Sequence, residues 1–136
     1  MLDISKYEIE DVIDNLKYTV LKKSKIHGIG LFSNAKIKKG TMLGFLEGQV
    51  VPWEQHIKYH NELEWNALDE ETVMVRPYRT KYGFINHSRT PNCILKYFPL
   101  RVETLEDIDV NVELTLDYRK EKTPREYKSK ENKDFL

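Results

Sequence analysis

At 136 residues the chain makes one domain, long enough to bury roughly two-thirds of the surface its unfolded form would expose, and a second domain does not fit. Its 22 basic and 22 acidic side chains cancel, so no global field would draw it onto nucleic acid or a membrane surface. A single cysteine, Cys93, excludes an internal disulfide and any thiolate zinc cluster. Residues 1–14 lack the basic-then-apolar pattern of a secretion signal, and no run approaches the ~20 apolar residues of a membrane span. An intracellular protein is expected.

Ser5 and Glu8 have capping-box spacing, and Ile9, Val12, Ile13 and Leu16 recur at helical intervals, so an amphipathic helix is predicted over residues 5–16. The pattern then turns to β. Strands are predicted at Thr19-Val20-Leu21, at Gly30 to Ser33 and at Met42 to Glu47, punctuated by a glycine turn at 27–30 and by Lys38-Lys39-Gly40. Pro52 suits a helix first turn, and Trp53, Ile57, His60 and Leu63 give helical periodicity through residue 63. Further strands are predicted at Trp65 to Leu68, Val73 to Val75, Ile94 to Phe98, Leu100 to Thr104 and Glu113 to Leu116. Many short strands with few helices argue for a mainly antiparallel β fold, which barrel and sandwich satisfy equally. The tail 119–136 carries seven basic and four acidic residues, leaving the body at −3.

Three blocks could carry chemistry. Gly28 and Gly30 flanking Ile29 either make a tight turn between strands or let a ligand approach the main chain. Asn86 and His87 either brace a loop or present amide and imidazole groups that can read a heterocyclic edge such as adenine. Tyr118, after the alternating Leu114 and Leu116, is either core or a phenol at a site, and Cys93 reads as a small buried hydrophobe. A hydrolase triad from His87, Ser88 and Asp117 fails, because adjacent His and Ser cannot easily align and Ser88 lacks a glycine-flanked elbow. A metal site from His27, His56, His60 and His87 also fails, since only His56 and His60 share a helical face and no zincin glutamate lies between them.

Taken in order, His27-Gly28-Ile29-Gly30-Leu31-Phe32, then Asn86-His87-Ser88 with Thr90-Pro91-Asn92-Cys93, then Glu113-Leu114-Thr115-Leu116-Asp117-Tyr118 resemble the SET-domain protein lysine methyltransferases. The resemblance covers residues from about 18 to 118, leaving an N-terminal helical extension (1–17) and a basic tail (119–136) as a candidate lid. It implies a β-clip fold of small curved antiparallel sheets, with short helical insertions and a knot-like crossing that brings the Asn-His and Tyr blocks together. It also implies S-adenosyl-L-methionine as cofactor, with S-adenosyl-L-homocysteine as product. The main chain of His27, Gly28, Ile29 and Gly30 would hold the methionine part, Asn86 and His87 the adenosine part, and Tyr118 would stand beside the methyl group as the aligning residue. Trp65 and Tyr82 are candidates for the wall of the lysine channel, and Tyr127 or Phe135 for closing the site. The implied partner is a lysine-containing protein, cytoplasmic or, for a histone, nuclear. Pairing into a homodimer is an open expectation; nucleic acid and membrane are not expected partners.

Departures from the family pattern accompany the match. Arg89 stands where the family often has a zinc-binding cysteine, Gly83 replaces a common arginine, Val112 replaces the first glutamate of a pair, and Asn111 replaces a turn glycine. A zinc-bound lid is therefore not expected, and a SET-like module that binds a peptide or cofactor without turnover is the alternative.

Overall fold

The computed structural model describes residues 11–59 and 63–124. Among these residues ten short strands and one α-helix run β1 (Thr19–Lys23), β2 (Ile29–Ser33), β3 (Met42–Phe45), β4 (Gln49–Pro52), α1 (Trp53–Tyr59), β5 (Glu64–Ala67), β6 (Thr72–Arg76), β7 (Asn86–His87), β8 (Cys93–Lys96), β9 (Arg101–Thr104) and β10 (Thr115–Leu116). Turns of 3₁₀ helix occupy Lys81–Phe84 and Tyr118–Lys120.

The strands form four small sheets rather than a single barrel. β1 and β2 make an antiparallel hairpin, β9 is the middle of β3-β9-β8, and β6 is the middle of β4-β6-β5. The fourth sheet is parallel: Thr115 pairs with Asn86 and Leu116 with His87. Alternation along the strands explains the packing, since period-2 patterning turns one face inward. Leu31, Leu43, Val102 and Leu114 are fully buried in one main core, which Leu16, Ile85, Cys93 and Leu116 join. A satellite cluster of Val51, Ala67, Val73 and Val75 lies within the β4-β6-β5 sheet, capped by Trp53, Leu63 and Trp65.

The mainly β reading of the sequence holds, as does a short helix after Pro52, although Pro52 itself closes β4 and Leu63, where the helical periodicity ends, is not helical. That strand was not legible beforehand. Asn111 adopts φ 63°, the left-handed conformation expected of a residue in a glycine position.

One expectation is corrected. The helix over residues 5–16 falls partly outside the described residues, and residues 12–16 are not helical. The backbone of this segment bonds to distant parts of the chain: Ile13 N–H donates to the Arg79 carbonyl at 2.8 Å, the Ile13 carbonyl accepts from Lys81, and just beyond it Lys17 N–H donates to Leu43 in β3. A helical pattern of apolar residues is satisfied equally by an irregular strap whose Leu16 is buried in the core.

Candidate active site

The β1-β2 hairpin turn forms the first wall. Gly28 sits at φ 51°, where a side chain is strained, and the Ser24 N–H closes the turn on its carbonyl at 2.8 Å. Ser24 Oγ accepts the backbone N–H groups of Ile26 (2.8 Å) and His27 (3.2 Å). His27 is exposed, whereas the Ile29 side chain is in the core, so Ile29 presents only main chain to this face. The turn thus joins two strands, with the Ile26 and His27 N–H groups spent on Ser24 Oγ and the Gly28 carbonyl on Ser24 N–H.

Asn86 ties this turn to the second block. Its Nδ2 donates to the His27 carbonyl at 2.9 Å, to Ser24 Oγ at 3.1 Å and to Glu113 Oε2 at 2.8 Å. Glu113 in turn accepts Ser24 Oγ–H at 2.8 Å. A Cβ on Gly30 would collide with this carboxylate, 2.9 Å from Glu113 Cδ, so the glycine makes room for the brace. Sequence reasoning missed Ser24 and Glu113; the signal available was only the acidic residue opening the third block.

The third block is threaded beside the second. Leu114 N–H donates to Leu31 on one side, and the Leu116 carbonyl accepts Ser88 N–H on the other. Asn92 holds the passing segment at two points, donating to the Glu113 carbonyl and accepting Thr115 N–H, both at 2.9 Å. The expectation that the Asn-His and Tyr blocks meet in space is thereby met.

Tyr118 N–H donates to His87 Nδ1 at 3.1 Å, and the two rings stand 5.3 Å apart. A neutral imidazole accepting at Nδ1 carries its proton on Nε2, a buried atom with no partner among the described residues. The Tyr118 hydroxyl donates to the Ile85 carbonyl. Burial pushes its phenol up to about 12, with the carboxylates of Glu121 and Glu113 adding to the effect. Asp117 is held well below the usual carboxylate range, first by the Arg119 side chain, which donates at 2.7 Å and 2.9 Å.

Tyr82 and Tyr118 pack against the same main core, and the Tyr82 hydroxyl donates to Glu121. Burial raises the Tyr82 phenol well above its ordinary value, Glu121 adding again. Trp65 lies elsewhere: its ring is 5.2 Å from both Trp53 and His56 in the satellite cluster. Gly83 has a local reason too, since a Cβ there would strike the Glu64 carboxylate, which is engaged by Arg76 at 2.8 Å and by Thr80 at 2.7 Å. Cys93 is buried, and burial pushes its thiol up to about 12. Among the described residues no three His, Cys, Asp or Glu side chains gather as a metal site, and no helix is long and apolar enough to cross a membrane. Tyr127 and Phe135 lie outside the described residues.

Small sheets, a glycine turn latched to an Asn-His strand and a tyrosine delivered by a parallel crossing define the class. The family model of the SET domain matches residues 28–119, and the chain belongs to that family, whose general kind is the protein lysine methyltransferases.

Proposed function

We propose that the protein transfers a methyl group from S-adenosylmethionine to the side-chain amine of a lysine in another protein. The observation that carries this is the convergence of Asn86, the 24–30 turn and Tyr118 through the parallel pairing of β7 with β10. The residues fit such a cofactor: Gly28 presents main chain without a side chain at the turn, and the buried Nε2–H of His87 is an unspent donor.

On this reading the main chain of His27 to Gly30 holds the amino-acid end of the cofactor, and Asn86 and His87 hold the adenosine end. When bound, the sulfonium supplies an activated methyl carbon: the new N–C bond forms as the S–C bond breaks, and that electron pair leaves with sulfur. The lysine must react as a neutral amine, although an unperturbed lysine of pKa ~10.4 is almost wholly protonated at neutral pH. Desolvation by the main core disfavours its charged form. Tyr118 stays un-ionised, so it acts as a neutral dipole that orients the amine. Positioning of this kind supplies most of the rate in a displacement needing little acid–base machinery. Tyr82 is the channel residue this reading favours, since it packs on the same core as Tyr118, whereas Trp65 packs with Trp53 and His56.

Labelled cofactor incubated with a panel of basic proteins tests the reading. Transfer to lysine is expected, falling about 100-fold in Tyr118→Phe while cofactor affinity by calorimetry stays within about threefold. Cofactor binding with no transfer to any protein would instead support a binding module without turnover.

A further inference from the structure

Glu121 stands one turn beyond Tyr118, its N–H donating to the Tyr118 carbonyl at 3.3 Å, and its carboxylate accepts the Tyr82 hydroxyl. The residues after it are pinned. Lys122 N–H donates to the Tyr97 hydroxyl at 2.9 Å, the Lys122 ammonium lies 4.5 Å from the Tyr97 ring centre and 4.7 Å from that of Phe98, and Thr123 and Pro124 are buried. The carboxylate is therefore held toward the tyrosines rather than released to solvent. It also borders a cavity of about 150 Å³ whose apolar walls include Cys93, Leu95, Leu105 and Leu116. Two other charged groups line that cavity: Asp117, already paired with Arg119, and Lys120.

An apolar slot ending at a carboxylate is complementary to a methylene stem ending in an ammonium. We propose that Glu121 is the ammonium-binding residue of the substrate site: the stem of the incoming lysine lies along Cys93, Leu95 and Leu116, and its charged end docks at Glu121, next to Tyr82 and Tyr118, before the amine loses its proton. The identity of the substrate rests on the methyl-transfer reading; the alkylammonium site does not. Because nearly all lysine is charged at neutral pH, a carboxylate here raises substrate occupancy and opposes the later proton loss, so it contributes to KM more than to kcat.

The test uses the full chain with ¹³C-labelled tyrosine rings and n-butylammonium as the probe, with and without S-adenosylhomocysteine. Saturable shifts of the Tyr82 and Tyr118 resonances are expected, with none from n-butanol. Glu121→Gln weakens the binding at least about tenfold, the usual worth of a hydrogen bond to a charged group. Lys120→Ala strengthens it by removing a competing cation. Should Glu121→Gln fail to fold, Glu121→Asp and Tyr82→Phe decide, each weakening binding by shortening or loosening the carboxylate. Equal affinity in wild type and these variants, or no saturable shift in wild type, overturns the proposal. Butylammonium binding without any cofactor binding would sink the methyl-transfer reading and leave this site standing, and the reverse result would do the opposite.

Discussion

Asn86 donates its side-chain amide to Glu113 at 2.8 Å across 27 positions of sequence. That bond joins the second block to the third, and the same amide reaches the His27 carbonyl in the first. One side chain thus couples all three segments, so changes in any of them act on the others.

Gly30→Ala tests the room left for this brace. A methyl at residue 30 meets the Glu113 carboxylate, which Asn86 and Ser24 hold in place and which cannot swing away cheaply. A destabilisation of about 1–3 kcal/mol is expected in urea unfolding, as for overpacking elsewhere. Cofactor affinity should fall with it, and an unchanged midpoint would show that the carboxylate is free to move.

Glu113→Gln keeps the size and removes the charge. The amide can still accept from one partner but not from Ser24 and Asn86 as a carboxylate does. The turn at 24–28 should loosen, seen as faster amide hydrogen exchange at Ile26 and His27, with cofactor affinity by calorimetry about tenfold weaker. Unaltered exchange would mean that Ser24 orders the turn unaided.

Tyr118 contributes to the alkaline limit. With its phenol pushed from 10.0 to about 12, the unfolded chain gives up a proton between those values that the folded chain keeps. Stability therefore falls as pH rises through that window. Ultraviolet titration at the tyrosinate band should show late-ionising phenols, Tyr82 among them, whose number falls by one in Tyr118→Phe, and an unchanged late-ionising amplitude in that variant would refute the buried, neutral Tyr118 phenol.

Arg119→Ala tests the acid side. Arg119 is the first cause of the low pKa of Asp117. A depressed carboxylate pKa contributes stability that is present above the unfolded value of about 3.9 and is lost as pH falls through the folded one. The variant should melt a few degrees lower at pH 7, with the gap narrowing as the pH falls from about 5 toward 2. A gap constant with pH would show that Arg119 acts through packing alone.

Much of the site was legible because its parts are local in sequence. Gly28 needs its left-handed backbone wherever the turn is placed, Asn111 tolerates the same conformation, and the alternation of Leu114 and Leu116 declares a strand with one buried side. The order of the three blocks then pointed to the SET family, which the match over residues 28–119 bears out. Glu113 and Ser24 were not legible as partners of Asn86, because a polar side chain carries no periodic signal and its partner is whatever the topology brings within about 3 Å.

The sequence by itself determined the β-rich class, the short helix after Pro52 and the three blocks, since backbone preference and apolar spacing act over a few residues. Tertiary structure alone decided that Thr115 and Leu116 lie beside Asn86 and His87, that residues 12–16 form a strap rather than a helix, and that Trp65 packs with Trp53 and His56 apart from Tyr118. Those outcomes depend on which backbone groups and carboxylates find partners across distant segments. That competition is settled only when the whole chain is folded.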